Sequence, residues 1–392
     1  MLLFQERKNI ISSSEVVKVF FIFLFALFSI SSIHFIFVKF SAITLLLFIL
    51  IYMFLFAALY LNKGKRNFYF PNIQVVLFFF FVACIGKALS RYGYVSGLMQ
   101  GVSVYSLRGS SASLGGWYSY LAIFFYPSAL LIFFLNIRYK FSYLIYFIIY
   151  SFILFDVFFL AMRMAPVFVL IFHFIIYLSH NLKSKFIFFK LICVVFLLLC
   201  TFSYTTKIKS FDPDGFSWEV HLKNTISTQV VEFNSNFLGY ESDLANSYLF
   251  LSHYIFHPIG EFSHYLASSE LNTNDLRFLK LKEEFCIVVG CDVSNEIRSL
   301  DNRYGVYKTG FFVFIFDYGL ALGLLFVLTL VALFTCFRAL KSHFGFGYFF
   351  SLYLLVLTPI ENFLFTGLGL LQISCIFIIT CTSTLLSRIS RR

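Results

Sequence analysis

Residues 186–216 read FIFFKLICVVFLLLCTFSYTTKIKSFDPDGF, and the change of composition within them decides the fold. The first 19 residues, 186–204, carry a single charge and are long enough to cross the roughly 30 Å hydrocarbon core of a bilayer as a helix. From Thr205 the chain becomes polar and stays so for 105 residues, to Thr309. The sequence therefore predicts a large extramembrane segment set between membrane-spanning segments.

The rest of the chain has the composition of membrane helices. Hydrophobic residues make up 60% of it and charged residues 12%, whereas a soluble domain has about 25% charged residues. Backbone groups in lipid must bond within their own segment, so the apolar stretches are helices. We predict an all-α polytopic membrane protein with ten spans, at 19–38, 41–61, 70–89, 117–136, 141–161, 164–179, 186–204, 310–333, 345–363 and 366–386. Its domains are a seven-span block (1–204), a large loop (205–309) and a three-span block (310–392).

Basic residues in the short loops predict the orientation of the spans. Lys and Arg concentrate on the cytoplasmic side of bacterial membrane proteins. Sixteen basic residues fall at the termini and in the even-numbered short loops, and five (Lys39, Lys87, Arg91, Arg108 and Arg163) fall in the opposite ones. Both termini are therefore predicted to be cytoplasmic, and the 205–309 loop to lie outside. The net charge of +11 reflects this asymmetry and indicates no nucleic-acid partner.

The sequence lacks the motifs of several functional classes. The sequence contains no nucleotide-binding loop, no internal repeat of the transporter kind and no His/Cys cluster with zinc spacing. We therefore expect no cofactor and no metal. Cys286 and Cys291, in CIVVGC, fall in the outer loop, where an exported compartment favours a disulfide. A bridge and two free thiols are equally compatible with this spacing.

Three arginines on the predicted outer side are candidate ligands for an anionic substrate. Arg163 lies in FFLAMRMAPVF, between two spans with almost no loop, so its side chain is either a snorkelling interfacial group or a fixed anion ligand. Arg91 and Arg108 fall in the Gly- and Ser-rich loop 90–116, which we expect to be mobile. A planar guanidinium suits phosphate, although a solvated loop arginine is the alternative.

The outer loop adds candidate acid–base groups. LSHYIFHPIGEFSHYL places His253, His257, Glu261 and His264 where a helix would align them, although Pro258 interrupts such a helix. An amphipathic surface stretch with a His or Glu as general base is the main interpretation, and a metal site is the alternative. Further candidate substrate-binding residues are Arg277, Arg298, Arg303, Tyr307 and Asp317. Asp156 and Asp317 are also intramembrane acids, and Asp156 is expected to share a helix face with Arg163.

Four stretches of the chain resemble the Wzy-type bacterial O-antigen polymerases. They are LRGSSASLGGWYSYL (107–121), LAMRMAPVFVLI (160–171), HYIFHPIGEF (253–262) and VYKTGFFVFIFDYGLALGLL (306–325). The resemblance implies a GT-C-like, all-helical glycosyltransferase of the inner membrane with its active site facing the periplasm. Its partners would be undecaprenyl-pyrophosphate-linked oligosaccharide, membrane lipids and a chain-length regulator protein. Arg108 and Arg163 best match the functional periplasmic arginines of that family.

The expected reaction joins lipid-linked repeat units during lipopolysaccharide biosynthesis. A sugar hydroxyl of one unit attacks the anomeric carbon of the growing glycan, and undecaprenyl pyrophosphate leaves. Positioned arginines can stabilise that anionic leaving group without a metal, while a His or carboxylate accepts the hydroxyl proton. The candidate catalytic residues are therefore Arg163, Arg108, His253, His257 and Glu261. The alternatives are an O-antigen ligase, another lipid-linked glycan transferase, or a lipid-linked oligosaccharide flippase.

Overall fold

The computed structural model describes residues 3–6, 13–31, 70–102, 118–160, 164–181, 186–209, 245–252 and 367–389, with isolated positions 46, 53, 217, 325 and 329. This part of the chain is mostly helical. In chain order its elements are β1 (Phe4–Glu6), α1 (Ser13–Ser31), α2 (Ile73–Met99), α3 (Tyr118–Ala122), α4 (Phe125–Leu135), β2 (Tyr139–Phe141), α5 (Tyr143–Phe158), α6 (Met164–His180), α7 (Ile187–Lys209) and α8 (Gly367–Ile389). The predicted spans 41–61, 310–333 and 345–363 lie outside the described residues.

The chain forms two compact units. The first comprises Met1–Val19, Tyr69–Phe216 and Leu371–Arg392, and the second comprises Phe20–Phe68 and Ser217–Leu370. The first unit holds both strands and helices α2 to α7. The second holds a short helical segment at 245–252, within the predicted outer loop. The predicted division into two membrane blocks and a loop stays a prediction.

Two stretches of the described chain are long and apolar enough to cross a membrane. They are α2, with 27 residues, and Tyr118–Leu135, which combines α3 and α4 in 18 residues. Buried helices of soluble proteins can meet the same criterion, so the exposed surface is the better guide. On α2 the exposed face is apolar, since Phe78, Ile85 and Leu89 are exposed while Lys87 is buried. An apolar exterior around a buried charge suits lipid better than water.

Helix α2 extends ten residues beyond the predicted end of its span. It continues to Met99, so its length is about 40 Å at 1.5 Å per residue. The side chain of Asn72 caps its start by accepting a hydrogen bond from the Gln74 amide at 2.9 Å. The helix ends where Gly101 adopts a positive φ of 78° and its N–H bonds the carbonyl of Leu98. The prediction of a mobile loop from residue 90 was wrong for residues 90–99.

The predicted span 117–136 is one apolar stretch but two helices. Residues 123 and 124 form a turn between α3 and α4. Pro127 explains this break, because its nitrogen cannot donate to the carbonyl four residues earlier and its ring crowds the preceding turn. Tyr126 therefore stands at the beginning of α4.

Helix α7 also passes its predicted boundary. It extends to Lys209, and Thr205 and Thr206 are buried with their hydroxyls bonded to backbone carbonyls of the preceding turn. A threonine hydroxyl bonded in this way is compatible with a buried helix. The polar segment thus begins after Lys209 in structural terms.

Contacts in the first unit join helix ends that were predicted to lie on the same side of the membrane. Strands β1 and β2 pair antiparallel, and Arg138 Nε contacts Glu6 Oε1 at 2.8 Å. Nearby, the His180 ring bonds the Asn136 carbonyl at 3.0 Å. All these segments were predicted to be cytoplasmic. The C-terminal ends of α5 and α7 were both predicted to lie outside, and they are also in contact. The hydroxyl of Tyr204 in α7 donates a hydrogen bond to the carbonyl of Phe158, the last residue of α5, at 3.2 Å.

This grouping gives a testable topology. Reporter fusions at residues 65, 183 and 390 are expected to give a cytoplasmic signal, and a fusion near residue 240 a periplasmic one, because sixteen basic residues oppose five. Paired alkaline phosphatase and fluorescent-protein fusions measure both sides. A cytoplasmic signal at residue 240 would contradict the predicted orientation.

Candidate functional site

Four ionisable or polar side chains meet inside the first unit. Lys87 and Arg91 come from α2, Tyr126 from α4 and Asp156 from α5, and we call them the charge cluster. The Lys87 Nζ lies 2.6 Å from Asp156 Oδ2, and the Arg91 Nε lies 3.1 Å from Asp156 Oδ1. The Tyr126 hydroxyl also donates a hydrogen bond to Asp156 Oδ2. One carboxylate thus receives three donors from two other helices.

The local sequence explains why these groups meet. Lys87 and Arg91 are four residues apart, so they lie on one side of α2, one turn from each other. Gly86 allows α3 to approach, since a Cβ at this position would lie 2.9 Å from both the Ala122 nitrogen and the Tyr118 carbonyl oxygen. Asp156 belongs to the buried face of α5.

The cluster is buried to different degrees. The side chains of Asp156 and Lys87 are 0% and 3% exposed, whereas that of Arg91 is 19% exposed. The Lys87 ammonium also lies 4.0 Å from the ring centroid of Tyr126 and 4.4 Å from that of Phe125, where the ring faces attract a cation. Arg91 is therefore the most exposed of the three charged members.

Among the four described side chains of the charge cluster, two are cations and one is a carboxylate. Ions removed from water require paired partners, and removing one partner of a buried pair is strongly destabilising. The three donors on Asp156 provide that pairing.

The cluster corrects three expectations from the sequence. Lys87 was counted among the outer-loop residues, but it is buried within α2. Arg91 was placed in a mobile loop, but it is helical and bound to Asp156. The expected shared helix face of Asp156 and Arg163 was also wrong, because α5 ends at Phe158 and the ion-pair partners of Asp156 come from α2.

Of the residues predicted to form the site, Arg91 is the one that the structure describes. The others lie outside the described residues, and their roles stay predictions: Arg108, Arg163, His253, His257, Glu261, His264, Arg277, Arg298, Arg303, Tyr307 and Asp317. The Cys286–Cys291 pair also lies outside them. Within the described ranges, no group of three or more His, Cys, Asp or Glu side chains is arranged to hold a metal ion.

Sequence reasoning missed Lys87 and Tyr126 as site residues. A signal for Lys87 was present, because it continues the buried series of Phe80 and Ala83 at helical spacing. Tyr126 precedes Pro127 in an uninterrupted apolar stretch, and only the proline indicates a helix start there.

A second buried polar group involves His173 of α6. Its ring stacks on Phe133, with centroids 4.0 Å apart and an interplanar angle of 7°. The Tyr150 hydroxyl hydrogen-bonds its Nδ1. Stacking and this bond account for a histidine among α4, α5 and α6, and we assign it a packing role.

Comparison with protein-family models, with curated proteins and with solved structures gives no match to this chain.

Proposed function

We propose that the protein is an O-antigen polymerase that joins undecaprenyl-pyrophosphate-linked repeat units at the periplasmic face of the bacterial inner membrane. The observation that best supports this proposal is the charge cluster, which places two cationic side chains among apolar helices. It lies where α2 and α5 approach the predicted outer loops. A lipid-linked pyrophosphate has the matching features, an anionic group on an apolar chain.

Each part of the proposed reaction uses named residues. Arg91 contributes a planar guanidinium for the pyrophosphate, and Lys87 and Asp156 fix its surroundings. Arg163 and Arg108 stabilise the leaving group as charge develops on it. A His or Glu of the 253–261 stretch accepts the proton of the attacking hydroxyl. The isoprenoid chains lie along the apolar helices.

The flippase alternative gains one supporting observation. A flippase needs polar groups along its path, and the charge cluster supplies buried charges among the helices. The 105-residue polar segment favours the polymerase instead, because an enzyme acting at the membrane surface uses such a segment. An O-antigen ligase shares this plan and differs in the acceptor.

Deletion of the gene in its native host separates the three functions. Lipopolysaccharide ladders are resolved on gels, and lipid-linked intermediates are assigned to a membrane face. A polymerase deletion leaves a single repeat unit on the lipid core. Loss of all O-antigen from the core would indicate a ligase, and an intermediate accumulated at the cytoplasmic face would indicate a flippase. Either of these results would contradict the proposal.

The reaction is expected not to require a metal. Arginines supply the positive charge for the leaving group, so polymerisation by the purified protein should persist in excess chelator at the rate measured without it. Product length on gels gives the measurement. If chelator abolished activity and a divalent ion restored it, His253, His257 and His264 would become candidate metal ligands.

A further inference from the structure

A lysine and a tyrosine meet at the ends of α6 and α7 that were predicted to be cytoplasmic. The Lys190 ammonium donates a hydrogen bond to the Tyr177 hydroxyl oxygen at 3.1 Å and lies 5.1 Å from the centroid of the Tyr177 ring. Lys190 is partly buried, and Tyr177 is 41% exposed. We call these two residues the interfacial pair.

The interfacial pair presents positive charge and hydrogen-bond donors. An ammonium has only donors, and a phenol whose oxygen accepts a bond still has its own hydrogen to donate. Among the described residues, no carboxylate forms an ion pair with Lys190. The sequence has no acidic residue from Val157 to Phe211, a range that includes all of α6 and α7. The pair is therefore matched to an anion with several acceptor oxygens.

The surface next to the pair is apolar and exposed. Lys190, Cys193 and Leu197 are three and four residues apart on α7, so they share one side of the helix. Cys193 and Leu197 are exposed, as are the neighbouring Phe189 and Ile192. An exposed apolar surface that begins at a cation suits a molecule with an anionic head and an apolar tail.

We propose that the interfacial pair binds the headgroup phosphate of an anionic phospholipid in the cytoplasmic leaflet, with an acyl chain along Cys193 and Leu197. The Lys190 ammonium and the Tyr177 hydroxyl each donate to a phosphate oxygen, and charge assistance strengthens the bond from the ammonium. A phosphodiester carries a single negative charge, so it neutralises Lys190 and leaves no unpaired negative charge. Tyrosine favours the interface where headgroups lie.

This inference rests on the predicted membrane location and orientation of α6 and α7, and it is independent of the polymerase activity. Reporter fusions test the orientation. A periplasmic signal at residue 183 would contradict the proposal, because the pair would then face the other leaflet.

The test measures lipid binding to the purified full-length protein in detergent by native mass spectrometry, with phosphatidylglycerol as the probe. Lys190→Ala is expected to weaken binding about fivefold, the usual contribution of one lysine near an anionic lipid surface. Tyr177→Phe keeps the ring but removes the donor hydroxyl, so it should weaken binding by a smaller factor. Lys140→Ala is the matched control, since Lys140 is an exposed lysine of β2 on the same predicted side. It should leave the affinity unchanged.

Three binding results would overturn the site. The first is an unchanged phosphatidylglycerol affinity in Lys190→Ala. The second is an equal loss in Lys140→Ala, which would indicate a diffuse attraction to basic residues. The third is binding of glycerol phosphate, which has no acyl chain, as tightly as phosphatidylglycerol. The deletion experiment reports separately on the proposed function, because a normal lipopolysaccharide ladder in the deletion strain would refute the polymerase and leave the lipid site in place.

Discussion

Replacing Asp156 by alanine is expected to destabilise the protein by about 3–5 kcal/mol, the usual cost of removing one partner from a buried ion pair. The variant would leave the Lys87 ammonium, 3% exposed, without its carboxylate. Thermal unfolding of the detergent-purified protein, followed by size-exclusion chromatography, measures the loss. Its level in the membrane should fall as well.

A matched substitution in an exposed ion pair shows how much of the expected loss of stability depends on burial. Glu6→Ala also removes a carboxylate from an ion pair, but Glu6 is 59% exposed. Exposed pairs contribute about 0–1 kcal/mol, so this variant should unfold almost as the unmodified protein does. Equal unfolding temperatures for Asp156→Ala and the unmodified protein would show that the charge cluster does not stabilise the bundle.

Replacing Arg163 by alanine is expected to abolish polymerisation while the protein level stays normal. Helix α6 begins at Met164, directly after Arg163, and only residues 161–163 separate it from the turn that follows α5. We expect a side chain in so short a connection to be restrained, as leaving-group stabilisation requires. Arg163→Lys keeps the positive charge but loses the bidentate guanidinium donor, so a small fraction of the activity should remain.

The Arg163 variants are measured by lipopolysaccharide ladders from cells that express each at equal level. Arg338→Ala, predicted to be cytoplasmic, is the control and should give a full ladder. If Arg163→Ala also gave a full ladder, Arg163 would be an interfacial residue. The pyrophosphate would then need other ligands, such as Arg277, Arg298 or Arg303.

The sequence predicted the helical character well, because apolar segments in lipid have few alternatives to a helix. Boundaries were less predictable. Hydropathy marks where apolar side chains stop, but a helix continues while its backbone bonds and caps allow. Helix α2 therefore passes residue 89 and ends at Met99, two residues before the left-handed Gly101. The apolar composition of residues 117–136 predicted one continuous helix, but Pro127 divides this stretch into α3 and α4.

The candidate site was less predictable, because its members come from three helices. Asp156 was recognised as an intramembrane acid, yet its expected partner was seven residues away along the chain. Its partners in the structure, Lys87 and Arg91, are 69 and 65 residues away and meet it only through packing of α2 against its neighbours. Spacing within one helix cannot supply such a pairing. The sequence indicated one member of the site, because Lys87 follows Phe80 and Ala83 at helical spacing on the same face of α2.

The most direct test of the central claim is the lipopolysaccharide ladder of a deletion strain that carries Arg91→Ala, with Arg138→Ala as its control. Both substitutions remove one arginine that contacts a carboxylate through Nε. If the charge cluster binds the pyrophosphate of the substrate, Arg91→Ala gives a single repeat unit on the lipid core, and Arg138→Ala gives a full ladder, at equal protein levels. A full ladder from Arg91→Ala would contradict the claim.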